Sequence, residues 1–455
     1  MKIIIAGAGK VGYSVARSLA AEGHDVTVLD RDEEAIGRIS NSLDVICVEG
    51  SATNPDALRE AGAEDADLLV AATPHDEVNM VSCIAAKKLG TKDVIARVRD
   101  PEYLSQRQFL RDVMGLSKLI NPDYECAKEI SRILRFPSAV RVDAFSKGDV
   151  EIIEYRIPQN SVLGGMALKN MPATFGAKVL VAVAERENEA VIPNGDFVLR
   201  SGDMLSITGT SEELRKFFVA VKAYKKPVRN VLIAGGSRIA VYLSRILIEN
   251  GMNVTVVDKS RDRCEALCDL IPEGRVIFGD ATVKEVLLEE GLSRADAFVS
   301  VTGDDGDNII TSMYAAFSGV GKVVTKVNRE HFSEILESSH LESIVSTREI
   351  VAQQITSYVR AMANSASSSF IETLHKLADG RIEALEFKVG EGAGCVGVPL
   401  KNLKIKKNTL IGAIIRDNES IIPDGSTVIR PGDHAVVISA AGKLGSVNEI
   451  LEGSL

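Results

Sequence analysis

The feature that most constrains this chain is an internal duplication. Residues 3–12, IIIAGAGKVG, return at 231–240 as VLIAGGSRIA, an offset of 228, and Asp30 returns as Asp258 at the same spacing. Gly50-Ser51-Ala52-Thr53 reappears as Gly279-Asp280-Ala281-Thr282, and Ala66–Thr73 as Ala295–Thr302, with Asn79 matched by Asn308, all at offset 229. Pro193-Asn194-Gly195 and Gly202-Asp203 come back as Pro423-Asp424-Gly425 and Gly432-Asp433 at offset 230. A register that drifts by two residues over nearly the whole half-chain marks duplication with small insertions. Whatever the first half folds into, the second half must therefore fold into as well.

Each half carries two patterns. In the first, short β-branched runs (Ile3–Ala6, Val26–Asp30, Val45–Val48, Leu68–Ala72, Val94–Val98) alternate with helical stretches such as Val11–Ala21. That alternation predicts a parallel sheet covered by helices on both faces. In the second, Ile152–Ile157, Val179–Ala184, Phe197–Leu199 and Met204–Thr208 read as strands separated by Gly, Pro and Asn turns, with one helix near Ser211–Val221. The fold class is thus α/β: two Rossmann-like parallel-sheet domains, each followed by a small α+β domain. The expected boundaries are 1–140, 141–225, 226–364 and 365–455. Lys222–Val228 reads as the linker between halves, and a helix near Arg348–Ala363 followed by polar Ser365–Ser369 joins the last two domains.

Composition narrows the function. The chain of 455 residues has net charge −10, with 29 basic against 33 acidic residues in 1–228 and 24 against 30 in 229–455. Neither half offers the basic field a nucleic-acid binder needs. No apolar run approaches the ~18 residues of a membrane span, and the N-terminus runs straight into a glycine motif without the pattern of a signal peptide. The expectation is a cytoplasmic protein. Six cysteines form no Cys-x-x-Cys pair and no disulfide framework. Cys264 and Cys268 are expected to be buried thiols, and no metal-ligand set is read among the histidines.

Gly7-Ala8-Gly9-Lys10-Val11-Gly12 follows an apolar strand and opens a helix, and Asp30 ends the next strand. A tight turn at Gly7, close backbone approach at Gly9 and close helix packing at Gly12 make a pyrophosphate cradle at a helix N-terminus. Asp30 suits the hydroxyls of an adenosine ribose and opposes a 2′-phosphate, favouring NAD over NADP, while Arg31 beside it pulls the other way. Ala52, Thr53, Thr73, Pro74, Arg97 and Arg99 fall at carboxyl ends of strands, where such sheets bind ligands. Taken singly, each is also what a strand-end turn or surface arginine looks like. Glu77 and Asn79 suit either helix capping or ligand contact. The second copy reads Gly235-Gly236-Ser237-Arg238-Ile239, with Asp258 and Thr302 kept and Lys326 near the place of Arg97. Ser237 puts a side chain where backbone should meet phosphate, so that site is expected to bind weakly, to take another nucleotide or to be structural.

The glycine loop, acidic strand end, Gly-x-Ala-Thr turn, Thr73-Pro74-His75-Asp76-Glu77-Val78-Asn79 stretch, Ile95-Ala96-Arg97-Val98 segment and small α+β module together resemble the domains that regulate conductance of potassium (RCK domains). The tandem arrangement resembles the NAD-binding peripheral subunits of Trk-type potassium-uptake systems. The resemblance implies a non-catalytic, nucleotide-sensing gating subunit. It would be peripheral on the inner face of the cell membrane, bound to an integral-membrane potassium-conducting Trk subunit and self-associated into a ring of two or four chains. It implies NAD(H), and also ATP or ADP, in the first lobe. Gly7 to Val11 would hold the phosphates and Asp30 the ribose, Thr73 and Pro74 would border the cleft, and Arg97 would face the phosphates. Gly235 to Ile239, Asp258 and Thr302 are their second-copy counterparts. A competing class, an NAD-dependent oxidoreductase with a duplicated cofactor domain, needs a substrate domain and a proton-handling residue; Glu154 and Tyr155 are the nearest candidates, and Glu154 recurs as Glu386. A nucleotide-binding scaffold without a transport role is a third class.

Overall fold

The computed structural model describes residues 1–145, 150–187, 189–223, 226–329, 341–363, 369–417, 419–440, 442 and 444–453. The first lobe runs β1 (Lys2–Ala6), α1 (Lys10–Ala21), β2 (Asp25–Asp30), α2 (Glu33–Ser40), β3 (Ile46–Glu49), α3 (Pro55–Glu60), β4 (Leu68–Ala71), α4 (Asp76–Leu89), β5 (Asp93–Arg97), α5 (Pro101–Ser105), α6 (Arg107–Met114), β6 (Lys118–Ile120) and α7 (Pro122–Arg135). Its six strands lie in the order 3-2-1-4-5-6, and the pairs are parallel. Ile3, Ile4 and Ile5 are all buried, because both faces of a parallel sheet are covered. Side-chain caps start several helices: Asp32 accepts from the amides of Glu34 and Ala35, and Asn54 and Asn121 cap α3 and α7 ahead of a proline.

A five-stranded antiparallel sheet follows, ordered 10-9-11-8-7: β7 (Arg141–Phe145), β8 (Val150–Arg156), β9 (Leu180–Arg186), β10 (Glu189–Val191) and β11 (Met204–Gly209), with α8 (Met171–Phe175) and α9 (Ser211–Ala220). The second half repeats both units. Its parallel sheet, β12 (Asn230–Ala234), β13 (Asn253–Asp258), β14 (Arg275–Phe278), β15 (Ala297–Ser300), β16 (Lys322–Lys326) and β17 (Ser343–Val345), has the order 14-13-12-15-16-17. Its helices are α10 (Arg238–Glu249), α11 (Arg261–Leu270), α12 (Lys284–Glu289), α13 (Asp305–Phe317) and α14 (Thr347–Ala363). Its antiparallel sheet is β18 (Ser369–Leu377), β19 (Ile382–Val389), β20 (Thr409–Arg416), β21 (Glu419–Ile421) and β22 (His434–Ser439), ordered 18-19-22-20-21.

The sequence reading of two α/β sheets, each followed by an α+β unit, is met, with one strand corrected. Phe197–Leu199 is not a strand; Val198 makes only an isolated bridge to Ala167. The edge strands β6, β7 and β10 were not legible, being short or, in β7, interrupted by the charges of Arg141 and Asp143. The thiol expectation holds for Cys264, which is buried, and fails for Cys268, which is exposed. Residues 365–368 of the expected polar connector, and Tyr224 and Lys225 of the linker, lie outside the described residues.

The halves interlock. Helix α7, which ends the first lobe, lays Cys126, Ile130 and Ile133 against Ile239, Leu243 and Leu247 of the second. Helix α14, which ends the second lobe, lays Val351, Ile355 and Val359 against Val15 and Leu19 of the first. Arg360 of α14 is buried and gripped from two sides, by Glu22 of the first lobe (2.7 and 2.8 Å) and Glu383 of β19 (2.7 and 2.8 Å). The two antiparallel sheets meet face to face, Phe145, Val150 and Ile152 against Ile382, Ala384, Val436 and Ile438.

Candidate functional site

The glycine loop of the first lobe is dictated by close approaches. Gly7 has φ +116°, and a Cβ there would stand 2.9 Å from the backbone of Ala72 and Thr73. A Cβ on Gly12 would stand 1.8 Å from the Gly7 carbonyl oxygen. Gly9 differs: a Cβ there would meet nothing within 4 Å, so this position opens onto the crevice. Helix α1 begins at Gly9 with no side-chain cap. Its first-turn amides therefore face the crevice with the positive end of the helix dipole behind them.

Asp30 ends β2 beside this loop. Its Oδ2 accepts from the Ala8 amide (2.5 Å) and Oδ1 from the Asp32 amide (3.0 Å). A carboxylate has about four lone-pair sites, so capacity remains for two hydroxyls. Ala52 is buried, and Thr53 Oγ1 lies 3.0 Å from Ser51 Oγ at the end of β3. Thr73 and Pro74 cross the end of β4, and Lys10 and Val11 lie in the first turn of α1.

Asn79 is fully buried and organises this edge. Its Oδ1 accepts from the Thr73 amide (2.8 Å) and hydroxyl (2.7 Å), while Nδ2 donates to the carbonyls of Thr73 (3.1 Å) and Arg97 (2.9 Å). Asn79 thus has a structural task, splinting two strand ends. Arg97 also turns to this edge, one terminal guanidinium nitrogen donating to the Thr73 carbonyl (2.6 Å). Burial, with Arg99 beside it, lowers its pKa. Glu77 accepts from the Tyr103 hydroxyl (3.1 Å).

The second crevice repeats the wiring with different charges. Gly235 has φ +97° and would clash with Thr302. The Gly236 amide donates to Asp258 Oδ2 (2.6 Å), as Ala8 does to Asp30. Asn308 repeats Asn79, bonding Thr302 and the Lys326 carbonyl, and Lys326 Nζ donates to the Thr302 carbonyl as Arg97 does to Thr73. Ser237 caps α10 only by its backbone, and its hydroxyl is buried without a hydrogen-bond partner. Arg238 is exposed in the first turn and Ile239 is buried in the core beneath it. Asp258 is taken up by the Ser260 amide (2.8 Å) and by Arg263 (3.1 Å), an arginine standing where the first lobe has Ala35. A cavity of about 320 Å³ remains, lined by Ser237, Asp258, Arg263, Asp280, Thr302 and Asp307, among others.

One group near the first crevice was not legible in the sequence. Tyr242, on α10 of the second lobe, donates its hydroxyl to the Arg99 carbonyl (3.2 Å) and accepts from Asn121 (3.0 Å). Arg99 is itself ion-paired with Asp123 (2.8 Å). The end of β5 is thereby tied to the facing lobe across more than a hundred residues of chain, which no local pattern announces. Tyr155 and Glu154 sit on β8 instead, Tyr155 packed into the antiparallel domain against Phe218.

Comparison with known proteins agrees with this architecture. The TrkA-N domain family model matches residues 3–122 and 231–347, and the TrkA-C domain model matches 152–221 and 384–452. A Trk system potassium uptake protein TrkA homolog of Archaeoglobus fulgidus is 34% identical over 451 residues, covering 99% of this chain and all of the relative. Among solved structures, the GsuK RCK domain superposes with a TM-score of 0.62 at 18% identity, covering 96% of this chain and 92% of that one. The GsuK channel bound to NAD gives 0.62 at 17% identity, covering 96% and 76%.

Proposed function

The chain belongs to the family built from TrkA-N and TrkA-C domains, and from that premise we propose that it is the nucleotide-sensing regulatory subunit of a Trk-type potassium-uptake system. It regulates and does not catalyse. We place its domains at 1–140, 141–225, 226–364 and 365–455, and its primary ligand site in the first crevice. Gly7, Ala8, Gly9, Lys10 and Val11 form the phosphate cradle, Asp30 holds the ribose, and Ala52, Thr53, Thr73 and Pro74 border the bases. Arg97 acts by holding the Thr73 edge. The residues fit a dinucleotide: an uncapped helix start, an open Gly9 and a carboxylate with spare acceptor capacity. NAD(H) is the ligand, and ATP or ADP present the same adenosine diphosphate to these groups. Gly235, Gly236, Ser237, Arg238, Ile239, Asp258 and Thr302 form a weaker second site, since Arg263 already occupies Asp258.

The observation that carries a gating role is the wiring of the crevice edge to the facing lobe. Arg97 bonds the Thr73 carbonyl, and two residues further along the chain the Arg99 carbonyl accepts from Tyr242 and Asn121, so a ligand that shifts the Thr73–Arg97 edge pulls on the inter-lobe seam through the end of β5. A ligand moves that equilibrium only by its differential affinity for the two shapes. Self-association into a ring of two or four chains is supported by α13. Its outer face leaves Ile310, Met313 and Phe317 at 65, 47 and 90% exposure, spaced along one stripe. No helix among the described residues is long and apolar enough to cross a membrane, which suits a chain docked on the inner face of a separate potassium-conducting Trk subunit.

Calorimetry with NADH and ATP, read for stoichiometry, and potassium uptake in cells carrying the variants test this reading. Gly9→Val fills the open cradle at a position where a Cβ meets nothing within 4 Å. It is expected to abolish tight nucleotide binding and the nucleotide dependence of uptake while the melting temperature stays within a few degrees. Unchanged regulation would overturn the assignment.

A further inference from the structure

Far from both crevices, three side chains converge on the second antiparallel sheet. His434 opens β22, Glu386 lies in β19, and Glu372 lies in β18. His434 Nδ1 stands 3.1 Å from a carboxylate oxygen of Glu386 and 3.1 Å from one of Glu372, and one ligand atom from each residue falls within 4.8 Å of the others. We propose that His434, Glu372 and Glu386 form a site for a borderline divalent cation of the zinc type, with water completing the coordination.

The two distances from His434 are those of a coordination shell. A cation held roughly 2.1 Å from each ligand keeps neighbouring ligand atoms about 3.0–3.4 Å apart. Glu386 is buried, while Glu372 and His434 are open enough to admit an ion, at 42 and 27% side-chain exposure. The backbone supplies the third ligand by an irregularity. Ile371 pairs with Phe387 and Thr373 with Glu386, so Glu372 is the extra residue of a β-bulge with no cross-strand partner. Bulges re-aim single side chains, and this one brings Glu372 to His434. The first copy lacks the set. There Glu154 takes the place of Glu386 and faces Arg141, a permanent cation whose charge works against the upward push of burial, and Met204 takes the place of His434. One cation per chain follows. The imidazole ligand selects zinc-type metals over calcium and magnesium, which prefer all-oxygen shells. Glu386 continues the face of β19 that carries Ile382 and Ala384, and His434 the face of β22 that carries Val436. A cation here therefore clips three strands at the rim of the seam between the two antiparallel sheets.

Cobalt is the probe. The metal-free full-length chain is titrated with Co²⁺ and Zn²⁺ by calorimetry and by visible absorption. The expected result is one ion per chain with a nitrogen–oxygen cobalt spectrum that lacks thiolate charge transfer, undisturbed by millimolar Ca²⁺ or Mg²⁺. His434→Ala is expected to weaken binding about a hundredfold and Glu372→Gln about tenfold. Glu372 is exposed, so its variant keeps the fold and serves where His434→Ala does not. Absence of uptake leaves the cluster as a histidine hydrogen-bonded among carboxylates and overturns the proposal. So does uptake unchanged in the folded Glu372→Gln variant, or a cobalt spectrum dominated by thiolate, which moves the ion to a cysteine such as Cys268.

Discussion

Single residues in this chain divide into those that meet the crevice and those that hold the lobes together. Asp30 belongs to the first group, and Asp30→Ala is expected to weaken NADH binding at least tenfold, read by calorimetry, since it removes a charged acceptor for two hydroxyls. Arg360 belongs to the second. Replacing it with Met takes from the buried Glu22 and Glu383 the cation that both bond, and urea unfolding is expected to show a loss of about 3–5 kcal/mol. Glu154 carries a pH dependence. Burial pushes its carboxyl up to about 7, so the folded state holds a proton that the unfolded chain releases at lower pH. Stability attributable to this group is therefore full at low pH and falls as pH rises through the window from the ordinary glutamate value to about 7. Glu154→Gln removes that slope, and melts at pH 8 are expected to show a gain on the order of 1–3 kcal/mol. At this scale the sequence was legible where chemistry is local. Gly7, Gly9, Gly12 and Asp30 announced the strand–turn–helix loop because the elements that need them are contiguous. The tasks of Asn79 and Arg97 were not legible, because each is set by the end of a neighbouring strand.

Elements show the same division. The core strands β1, β4 and β5 carry unbroken apolar runs, Ile3–Ala6, Leu68–Ala71 and Val94–Ala96, because both faces are buried, and they can be read directly. Strand β7 carries Arg141 and Asp143 into a buried network with His375, whose Nδ1 lies 3.0 Å from Asp143, so its pattern contradicts its place. The repeated Gly-Asp turns were visible as repeats, and the structure supplies their reason. Asp203 and Asp433 each grip an arginine of a neighbouring strand, Arg186 and Arg416, at 2.8 and 2.7 Å. In the proposed gating role the coupling element is α10, which carries Tyr242 to the end of β5. Tyr242→Phe removes two hydrogen bonds and keeps the ring. It is expected to leave the nucleotide dissociation constant within about threefold while reducing the nucleotide response of potassium uptake. Uptake that responds as in the parent chain would locate the coupling elsewhere.

For the whole molecule, the stripe of Ile310, Met313 and Phe317 predicts assembly, and Phe317→Asp is expected to shift the species seen by light scattering toward smaller oligomers at equal concentration. The duplication made the four-part plan legible from sequence, but not the exchange of α7 and α14 between halves, since each helix also matches the end of its own repeat. That exchange has a consequence for the order of events at the ribosome. The face of the first parallel sheet that α1 occupies is finished only by Val351, Ile355 and Val359, which are made more than two hundred residues after that sheet is complete. The first half must therefore wait, with an apolar flank uncovered, until the parallel-sheet lobe of the second half has been synthesised. Slow translation between residues 140 and 350 lengthens that exposure, and the two repeats, though copies of each other, cannot be separated into two independent proteins.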